Sequence, residues 1–206
     1  SPLLEALDKL HAQGVYHRDI APDNIHIEAG GLPVLLDFGA ARHVLGDRTQ
    51  TLTAILKPAY APIEQYAETG GVKQGPWTDV YALGATLHFL LLGKPPAPAT
   101  ARAVHDEGSR LNTEACPGCS ERFLALIDWM LQPRPADRPQ RVADVQAVLR
   151  GEREPPARAP GGSSAEAEWP TTVRFGQTVT AADVGLTATR EAEATVVMRS
   201  EEHTSE

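Results

Sequence analysis

Two polar residues stand five positions apart in the stretch VYHRDIAPDNIHI, residues 15–27: Asp19 and Asn24. A second acid, Asp37, follows a short apolar run and precedes a Phe-Gly pair. Carboxylate and amide oxygens are the hard ligands that Mg²⁺ prefers, and a carboxylate can also accept a hydrogen bond from an attacking hydroxyl. Each residue taken alone also fits a turn, so the interpretation depends on the elements around it.

Helix and strand patterns flank these residues. Leucines at helical spacing in SPLLEALDKLHAQG predict an amphipathic helix that ends at Gly14. The stretch NIHIEAGGLPVLLDFG predicts two short strands joined at Gly30–Gly31. The polar stretch GAARHVLGDRTQTLTAILKPAYAP has no clear period and predicts a long loop, which in a compact domain is usually functional.

Three further helices are predicted downstream. TDVYALGATLHFLLLG is apolar on nearly all sides and predicts a central buried helix capped by Thr78 or Asp79. SERFLALIDWMLQ and PQRVADVQAVLRG predict two amphipathic helices, the second stopped by Gly151. The predicted fold class is therefore α+β, mostly α, with one small β-hairpin.

Composition limits the classes of function. The chain has 206 residues and a formal net charge of −8, which argues against nucleic acid as the main partner. No apolar run reaches the roughly 18–20 residues of a membrane span, so we expect no membrane segment in this sequence. Two cysteines fit a reducing cytoplasm.

The chain divides into three parts. Residues 1–150 carry most of the aromatic residues and apolar runs and predict one folded domain. Residues 151–198 are poor in apolar residues and predict a disordered linker or tail. Residues 199–206, RSEEHTSE, look like the translation of a sequencing adapter, and they carry no weight in the interpretation.

Three motifs in order carry a family resemblance. HRDIAPDN, DFG and YAPIEQY follow one another along the chain, and TDVYALG and the arginine of PADRPQ come after them. Over residues 1–150 this pattern resembles the catalytic lobe of the protein kinase family, in particular the bacterial Ser/Thr type. The resemblance implies a kinase-like C-terminal lobe, ATP and Mg²⁺ as cofactors, and protein substrates with Ser or Thr hydroxyls.

The resemblance also implies roles for the opening residues. Asp19 would orient the substrate hydroxyl, and Asn24 and Asp37 would hold metal. His26 would lie under adenine, where the family usually has Leu; an outward-facing strand histidine is the alternative.

A second group of roles concerns the long loop. Arg18 would meet a phosphate on this loop, and His17 would pack under Phe38, which Gly39 follows. The candidate phosphorylation sites are Thr49, Thr51 and Thr53.

Three residues are expected to be structural. Glu64 would form a buried ion pair with Arg138 that holds the end of the loop. Asp79 would accept hydrogen bonds from backbone groups of the turn at 17–19.

Two departures from the family pattern coincide. Ala21 stands where most Ser/Thr kinases have a lysine that contacts the transferred phosphate. Lys57, in KPAY, stands where the family usually has a threonine that contacts the catalytic acid. We expect the ammonium of Lys57 to replace the missing one from the opposite wall of the site. The alternative is that Lys57 faces solvent and that Ala21 marks a lost function.

One further motif and one absence complete the sequence interpretation. CPGC, Cys116 to Cys119, supplies only two metal ligands and fits a tight loop between helices better than a zinc site. No G-x-G-x-x-G motif occurs, so we expect a C-terminal lobe plus tail, with the small lobe missing, that cannot bind ATP tightly or transfer phosphate alone. The intact parent is expected to be a Ser/Thr kinase in bacterial signalling. A pseudokinase scaffold is the main alternative, and a small-molecule kinase is a weaker one.

Overall fold

The computed structural model describes residues 1–37, 56–66, 73–104 and 111–156, together with the backbone of a two-residue strand at 42–43. The part of the predicted linker beyond residue 156 and the adapter-like end lie outside these residues. The helices are α1 Pro2–Ala12, α2 Ile63–Tyr66, α3 Pro76–Leu92, α4 Ala99–Val104, α5 Glu121–Met130 and α6 Val142–Leu149. The strands are β1 Val15–Tyr16, β2 Ile25–Ile27, β3 Pro33–Leu35 and β4 Arg42–His43. Among the helices described, none combines the length and apolarity that crossing a bilayer requires.

The first helix follows its leucine pattern. Leu3, Leu4 and Leu7 are buried on one side of α1, as their spacing predicts. The helix ends at Ala12, and Gly14 then adopts φ 69°, a left-handed conformation that favours glycine because it has no Cβ. The chain thereby leaves the helix and enters β1.

The predicted hairpin is present. Strands β2 and β3 pair antiparallel, with Ile25 opposite Leu35, and Gly31 in the connecting turn has φ 77°. The N–H of Leu36 donates to the carbonyl of Asn24 over 2.8 Å, which continues the ladder beyond the strands. The hairpin therefore brings the chain that follows β3 back to the turn that carries Asn24.

A second two-stranded ladder corrects the prediction of a long unstructured loop. Strand β4 lies inside the stretch predicted as loop and pairs antiparallel with β1, with Val15 opposite His43 and Tyr16 opposite Arg42. Two residues per strand are too few to show the alternation of apolar and polar side chains that marks a strand in a sequence. Helix α2 begins at Ile63, directly after the predicted loop ends at Pro62.

The central helix α3 lies between two clusters of buried apolar side chains. Val80 and Leu83 belong to the first cluster, with the leucines of α1 and the valines of α6. Tyr81 and Ala85 belong to the second, with residues of α2, α4 and α5. The helix is buried over most of its length, as its apolar composition predicts.

The predicted cap of α3 is wrong. The helix begins at Pro76, so the residue that precedes it is Gly75 rather than Thr78 or Asp79. Thr78 still contributes, because its hydroxyl accepts a hydrogen bond from the N–H of Gly75 over 3.2 Å. The side chain of Asp79 instead accepts hydrogen bonds from the N–H groups of His17 and Arg18, which follow β1.

The residues after α6 remain attached to the domain. The guanidinium of Arg153 lies 4.8 Å from the ring centroid of Trp129 on α5 and 2.9 Å from a carboxylate oxygen of Asp144 on α6. Arg122 also pairs with Glu154. The stretch predicted as a linker from residue 151 therefore begins with a segment that packs on α5 and α6.

Helices α3 and α5 approach closely at Gly84. A Cβ added there would lie 2.8 Å from the Cβ of Met130, closer than two such atoms normally come. We expect Gly84→Ala to lower the free energy of unfolding by about 1–3 kcal/mol, because this overpacking outweighs the gain in helix propensity of up to about 1 kcal/mol. Urea denaturation measures the change. Gly30→Ala is the control, since a Cβ there meets nothing within 4 Å; greater stability of Gly84→Ala would contradict the close packing.

A buried histidine on α3 should make stability depend on pH. His88 is 1% exposed; its Nδ1 lies 3.1 Å from the carbonyl oxygen of Lys94, and Nε2 has no hydrogen-bonding partner within the described part of the chain. Burial lowers the pKa of the His88 imidazole, although the Lys94 carbonyl partly opposes this. As pH falls through 6.5, the ordinary value, the unfolded chain therefore binds a proton that the folded state resists.

The corresponding prediction concerns the replacement His88→Leu. Between about pH 7.5 and about pH 5.5, the wild type should lose more free energy of unfolding than the variant, by at most about 1.4 kcal/mol per pH unit, the limit for one proton. Denaturant unfolding at several pH values measures both proteins. A difference between them that stays constant with pH would show that His88 has no depressed pKa.

Candidate active site

The turn between β1 and the 3₁₀ turn Pro22–Asn24 is held by one buried carboxylate. Asp79 on α3 accepts hydrogen bonds from the N–H of His17 and the N–H of Arg18, each over 2.8 Å. Its side chain is fully buried. These are the backbone contacts that the resemblance implies for Asp79, and they fix the course of the chain just before Asp19.

Two non-glycine residues of this region have left-handed backbones. Arg18 has φ 67° and Asp37 has φ 56°. Such conformations are unfavourable for L-residues and persist where the surrounding structure imposes them. For Arg18 the hydrogen bond from its N–H to Asp79 is one such constraint.

His11 also contacts the side chain of Asp79, and the sequence interpretation missed this contact. Its Nε2 lies 2.8 Å from Oδ2 of Asp79, and its side chain is almost completely buried. In the sequence, His11 is one polar residue near the end of an amphipathic helix, so only the tertiary partner reveals its role.

The Asp19 side chain contacts two neighbours. Asn24 donates from Nδ2 to the carbonyl oxygen of Asp19 over 2.7 Å and to its Oδ2 over 2.8 Å. The ammonium of Lys57 lies 3.4 Å from the same Oδ2. With 28% of its side chain exposed, the Asp19 carboxylate is oriented by its neighbours and still open to a substrate.

Lys57 bridges two carboxylates. Its Nζ also donates to Oδ1 of Asp23 over 2.9 Å. Burial disfavours the charged form of Lys57, but the hydrogen bond to Asp23 and the charges of Asp19 and Asp23 outweigh it, so the pKa of Lys57 is raised. The same hydrogen bond lowers the pKa of Asp23. The ammonium is therefore charged at neutral pH and lies within 3.4 Å of the Asp19 carboxylate.

Position 21 offers no cation of its own. Ala21 is fully buried, directly before the turn Pro22–Asn24. The ammonium of Lys57 pairs with Asp19 and Asp23 while 29% of its side chain is exposed, so its role opposite Ala21 stays a prediction.

Asn24 and Asp37 are the residues predicted to bind metal, and the hairpin brings their backbones close together. The amide Nδ2 of Asn24 is committed to Asp19, so Oδ1 is the atom that this residue offers to a metal ion. The hairpin ladder places Leu36, and hence the start of Asp37, beside Asn24. Within the described ranges no cluster of three His, Cys, Asp or Glu residues could hold a metal. One carboxylate and one amide oxygen nevertheless fit Mg²⁺, which is usually bound by one or two protein ligands together with phosphate oxygens.

The segment after the long loop is tied to the core by a buried ion pair. Arg138 donates from its two terminal nitrogens to the carboxylate of Glu64 over 2.8 and 3.2 Å, and both side chains are fully buried. The hydroxyl of Thr78 donates to the same carboxylate over 3.0 Å. The adjacent Gln65 donates from Nε2 to the carbonyl of Arg18 over 2.7 Å. This is a link, missed by the sequence interpretation, to residues 17–24, the candidate catalytic turn, called the catalytic turn below.

Some sequence-predicted residues lie outside the described part of the chain. These are Phe38, Gly39, Thr49, Thr51 and Thr53.

The described part of the chain includes four further residues that the sequence analysis singled out. His17 is fully buried and its Nε2 lies 3.0 Å from the carbonyl of Leu36, while His26 is exposed on β2, which leaves both interpretations of His26 open. Cys116 and Cys119 are free thiols joined by a backbone hydrogen bond of 3.2 Å, as the interpretation of CPGC as a tight loop implies.

Comparison with known proteins identifies the family of this chain. The family profile described as the protein kinase domain matches residues 1–149. This chain belongs to the protein kinase family. The kinase chain is 33% identical over 191 residues to serine/threonine-protein kinase F of Synechocystis sp., across 90% of this chain and 37% of that protein. It is 40% identical over 148 residues to the DNA damage-responsive serine/threonine-protein kinase RqkA of Deinococcus radiodurans, across 66% of this chain and 21% of that protein.

A solved structure supports the fold of the kinase chain. PpkA-294 in its apo form matches with a TM-score of 0.61 and 44% identity, across 72% of this chain and 51% of that one. The identification as a bacterial Ser/Thr-type member of the family, and the kinase-like fold, are therefore confirmed. The chain spans 37%, 14% and 28% of the lengths of three curated relatives that it matches.

Proposed function

We propose that the intact protein transfers the γ-phosphate of Mg-ATP to serine and threonine hydroxyls of protein substrates. The observation that carries this proposal is the Asp19 carboxylate, which Asn24 and Lys57 hold on a turn whose backbone Asp79 fixes. Phosphoryl transfer depends mainly on positioning and on stabilising the charge of the transferred group. A fixed carboxylate with an adjacent cation supplies both.

Each residue of the site has a defined task in this proposal. Asp19 accepts a hydrogen bond from the substrate hydroxyl and orients it. Asn24 and Asp37 would hold Mg²⁺, which neutralises phosphate charge when it is bound with ATP. Lys57 places its positive charge beside Asp19, where charge develops on the transferred group. The adenine ring would pack against His26, which is exposed on β2.

The long loop is proposed to regulate this site. Arg18 would bind a phosphate on the loop, and at least one of the following threonines would be phosphorylated in the active protein. The candidates are Thr49, Thr51 and Thr53. Gln65 lies in the segment after the loop and donates a hydrogen bond to the carbonyl of Arg18. Ordering of that segment by phosphorylation would therefore also stabilise the catalytic turn. A phosphate map of active protein with none of the three modified would contradict this regulation.

The proposed setting follows from composition. The net charge of −8 favours protein over nucleic acid as substrate, and two cysteines in 206 residues fit the cytoplasm. The family and its serine/threonine-kinase relatives support the choice of hydroxyl substrate.

One observation favours a different function, that of a pseudokinase scaffold. Ala21 is fully buried, so the cation that most family members carry at this position is lacking. A scaffold, however, has no need of an acid held in the arrangement seen for Asp19. The two functions differ in one measurable property, which is transfer of phosphate.

The test is phosphate transfer by the intact protein. The protein is incubated with labelled Mg-ATP and a generic protein substrate, beside the variant Asp19→Asn. Label on serine and threonine that is lost in the variant is the expected result. Absence of label from the wild type, with ATP bound, would replace the kinase by the pseudokinase.

A further inference from the structure

We infer that Asp23 is a positioning residue that holds the ammonium of Lys57 beside Asp19 during phosphate transfer. This inference rests on the proposed function and deepens it, because it names what makes a cation from the end of the long loop serve the catalytic turn. Asp23 itself does not contact the reacting atoms.

The geometry assigns the stronger contact to Asp23. The ammonium of Lys57 lies 2.9 Å from Asp23 and 3.4 Å from Asp19, so it donates a full hydrogen bond only to Asp23. Asp19 precedes the turn Pro22–Asn24 and Asp23 lies within it, and the two carboxylates converge on this one ammonium. Asp23 therefore sets the position from which Lys57 acts on Asp19.

The ammonium of Lys57 needs a second residue to position it, because Lys57 comes from a different segment of the chain than Asp19. Lys57 lies in a separate segment, where its carbonyl accepts hydrogen bonds from the N–H groups of Tyr60 and Ala61, each over 2.9 Å. These bonds fix the backbone of Lys57 but leave its long, flexible side chain free to rotate. A contact with the catalytic turn is needed to direct the ammonium, and Asp23 provides it.

Asp23 also limits how closely the ammonium of Lys57 pairs with the Asp19 carboxylate. An ammonium that paired with Asp19 alone would compete with the substrate hydroxyl for the same carboxylate. Since Asp23 takes the shorter contact, Asp19 keeps the ability to accept a second hydrogen bond while it stays close to the positive charge. Loss of Asp23 should therefore lower the rate, because the ammonium of Lys57 then either moves away from the catalytic turn or pairs with Asp19 alone.

The site allows a clean experiment, because 67% of the Asp23 side chain is exposed. Asp23→Asn keeps the size of the side chain and should leave the fold intact. The intact protein is prepared as wild type, Asp23→Asn, Lys57→Ala and the double variant. The values of kcat and of KM for ATP and for a peptide substrate are measured for each.

We expect Lys57→Ala to lower kcat by about 10²-fold and Asp23→Asn by about tenfold, with both KM values changed by less than about threefold. In the Lys57→Ala background, Asp23→Asn should change kcat by less than about twofold, because its only route to the reaction is then absent. Asp23→Glu should recover most of the rate, since it restores the carboxylate.

Glu152→Gln is the matched control. Glu152 is likewise an exposed carboxylate that receives hydrogen bonds from one cation, Arg150, over 2.7 and 2.8 Å. It stands just after α6 rather than on the catalytic turn. This variant should keep the wild-type kcat. The control thereby distinguishes an effect specific to the Asp23 site from the general effect of removing a surface carboxylate.

A second readout does not depend on activity. In the absence of nucleotide, an amine-acylating reagent should modify Lys57 about fivefold faster in Asp23→Asn than in the wild type, as measured by mass spectrometry of the peptide. Fivefold corresponds to about 1 kcal/mol, the size of a partly exposed ion pair. Modification of Lys9, which is exposed on α1, serves as the internal standard.

The outcomes separate this inference from the proposed function. If the wild type transfers phosphate and Asp19→Asn does not, but Asp23→Asn keeps the full kcat or acts equally with and without Lys57, the role of Asp23 is wrong and the kinase function stands. A change confined to KM for the peptide would make Asp23 a substrate contact instead. If the wild type itself transfers no phosphate, the proposed function fails, while unchanged acylation of Lys57 overturns the Lys57–Asp23 contact by itself.

Discussion

Replacing Asp19 with asparagine in the intact protein should lower kcat by about 10²–10⁴-fold, the range associated with loss of a catalytic acid or base. The amide cannot accept a proton, and it removes the negative charge that faces the ammonium of Lys57 at 3.4 Å. The fold should be preserved, because the amide oxygen of the new residue can still accept the hydrogen bond from Asn24. KM for ATP should change little, since Asp19 acts on the hydroxyl.

Steady-state phosphate transfer with an equilibrium measurement of ATP binding checks this prediction. Asp8→Asn is the matched control: it makes the same chemical change at an exposed position on α1 and should keep full activity. If Asp19→Asn retained more than about a tenth of the wild-type kcat, Asp19 would not be the residue that orients the hydroxyl.

The largest effect on stability is expected at the buried ion pair. Arg138→Ala should lower the free energy of unfolding by about 3–5 kcal/mol, because it leaves the carboxylate of Glu64 buried without its partner. Arg138 also donates to the carbonyls of Gln132 and Pro133, over 2.6 and 2.8 Å, and lies 4.6 Å from the ring centroid of Tyr81. A loss of this size is a large fraction of the stability of an ordinary domain.

A double replacement distinguishes an unpaired charge from a simple cavity. Arg138→Met combined with Glu64→Gln should be more stable than Arg138→Met alone, because the second change removes the unpaired charge. Arg150→Ala removes a surface ion pair and should leave stability nearly unchanged. Denaturant unfolding measures all of these variants, and equal losses for the buried and the surface arginine would contradict the prediction.

The sequence predicted those parts of the molecule that have a period or a family motif. The leucine spacing of α1 and the long apolar run of α3 correctly predicted helices, and the pair Gly30–Gly31 correctly predicted the hairpin. The contacts of Glu64 with Arg138, 74 positions away, came from the resemblance and not from periodicity, since no local pattern specifies a partner at that distance.

The sequence could not predict contacts that depend on tertiary packing. Strand β4 is too short for a pattern, and His11 and Gln65 look like ordinary polar residues until the fold brings them to Asp79 and to Arg18. Asp23 is a turn residue by every local criterion, and only the position of Lys57 gives it a further meaning. Ala21 and Lys57 together led to the hypothesis that the positive charge of the site comes from Lys57, and this hypothesis stays a prediction.

The left-handed backbones of Arg18 and Asp37 have a consequence for selection. Glycine adopts such conformations without steric cost, so Arg18→Gly or Asp37→Gly would relieve local strain. A directed-evolution campaign that rewarded heat resistance alone would favour these two replacements, and it would thereby discard the proposed metal ligand and the proposed phosphate sensor. If the proposed roles hold, stability and activity make opposite demands on these two positions, which is the trade-off expected where function requires a strained backbone.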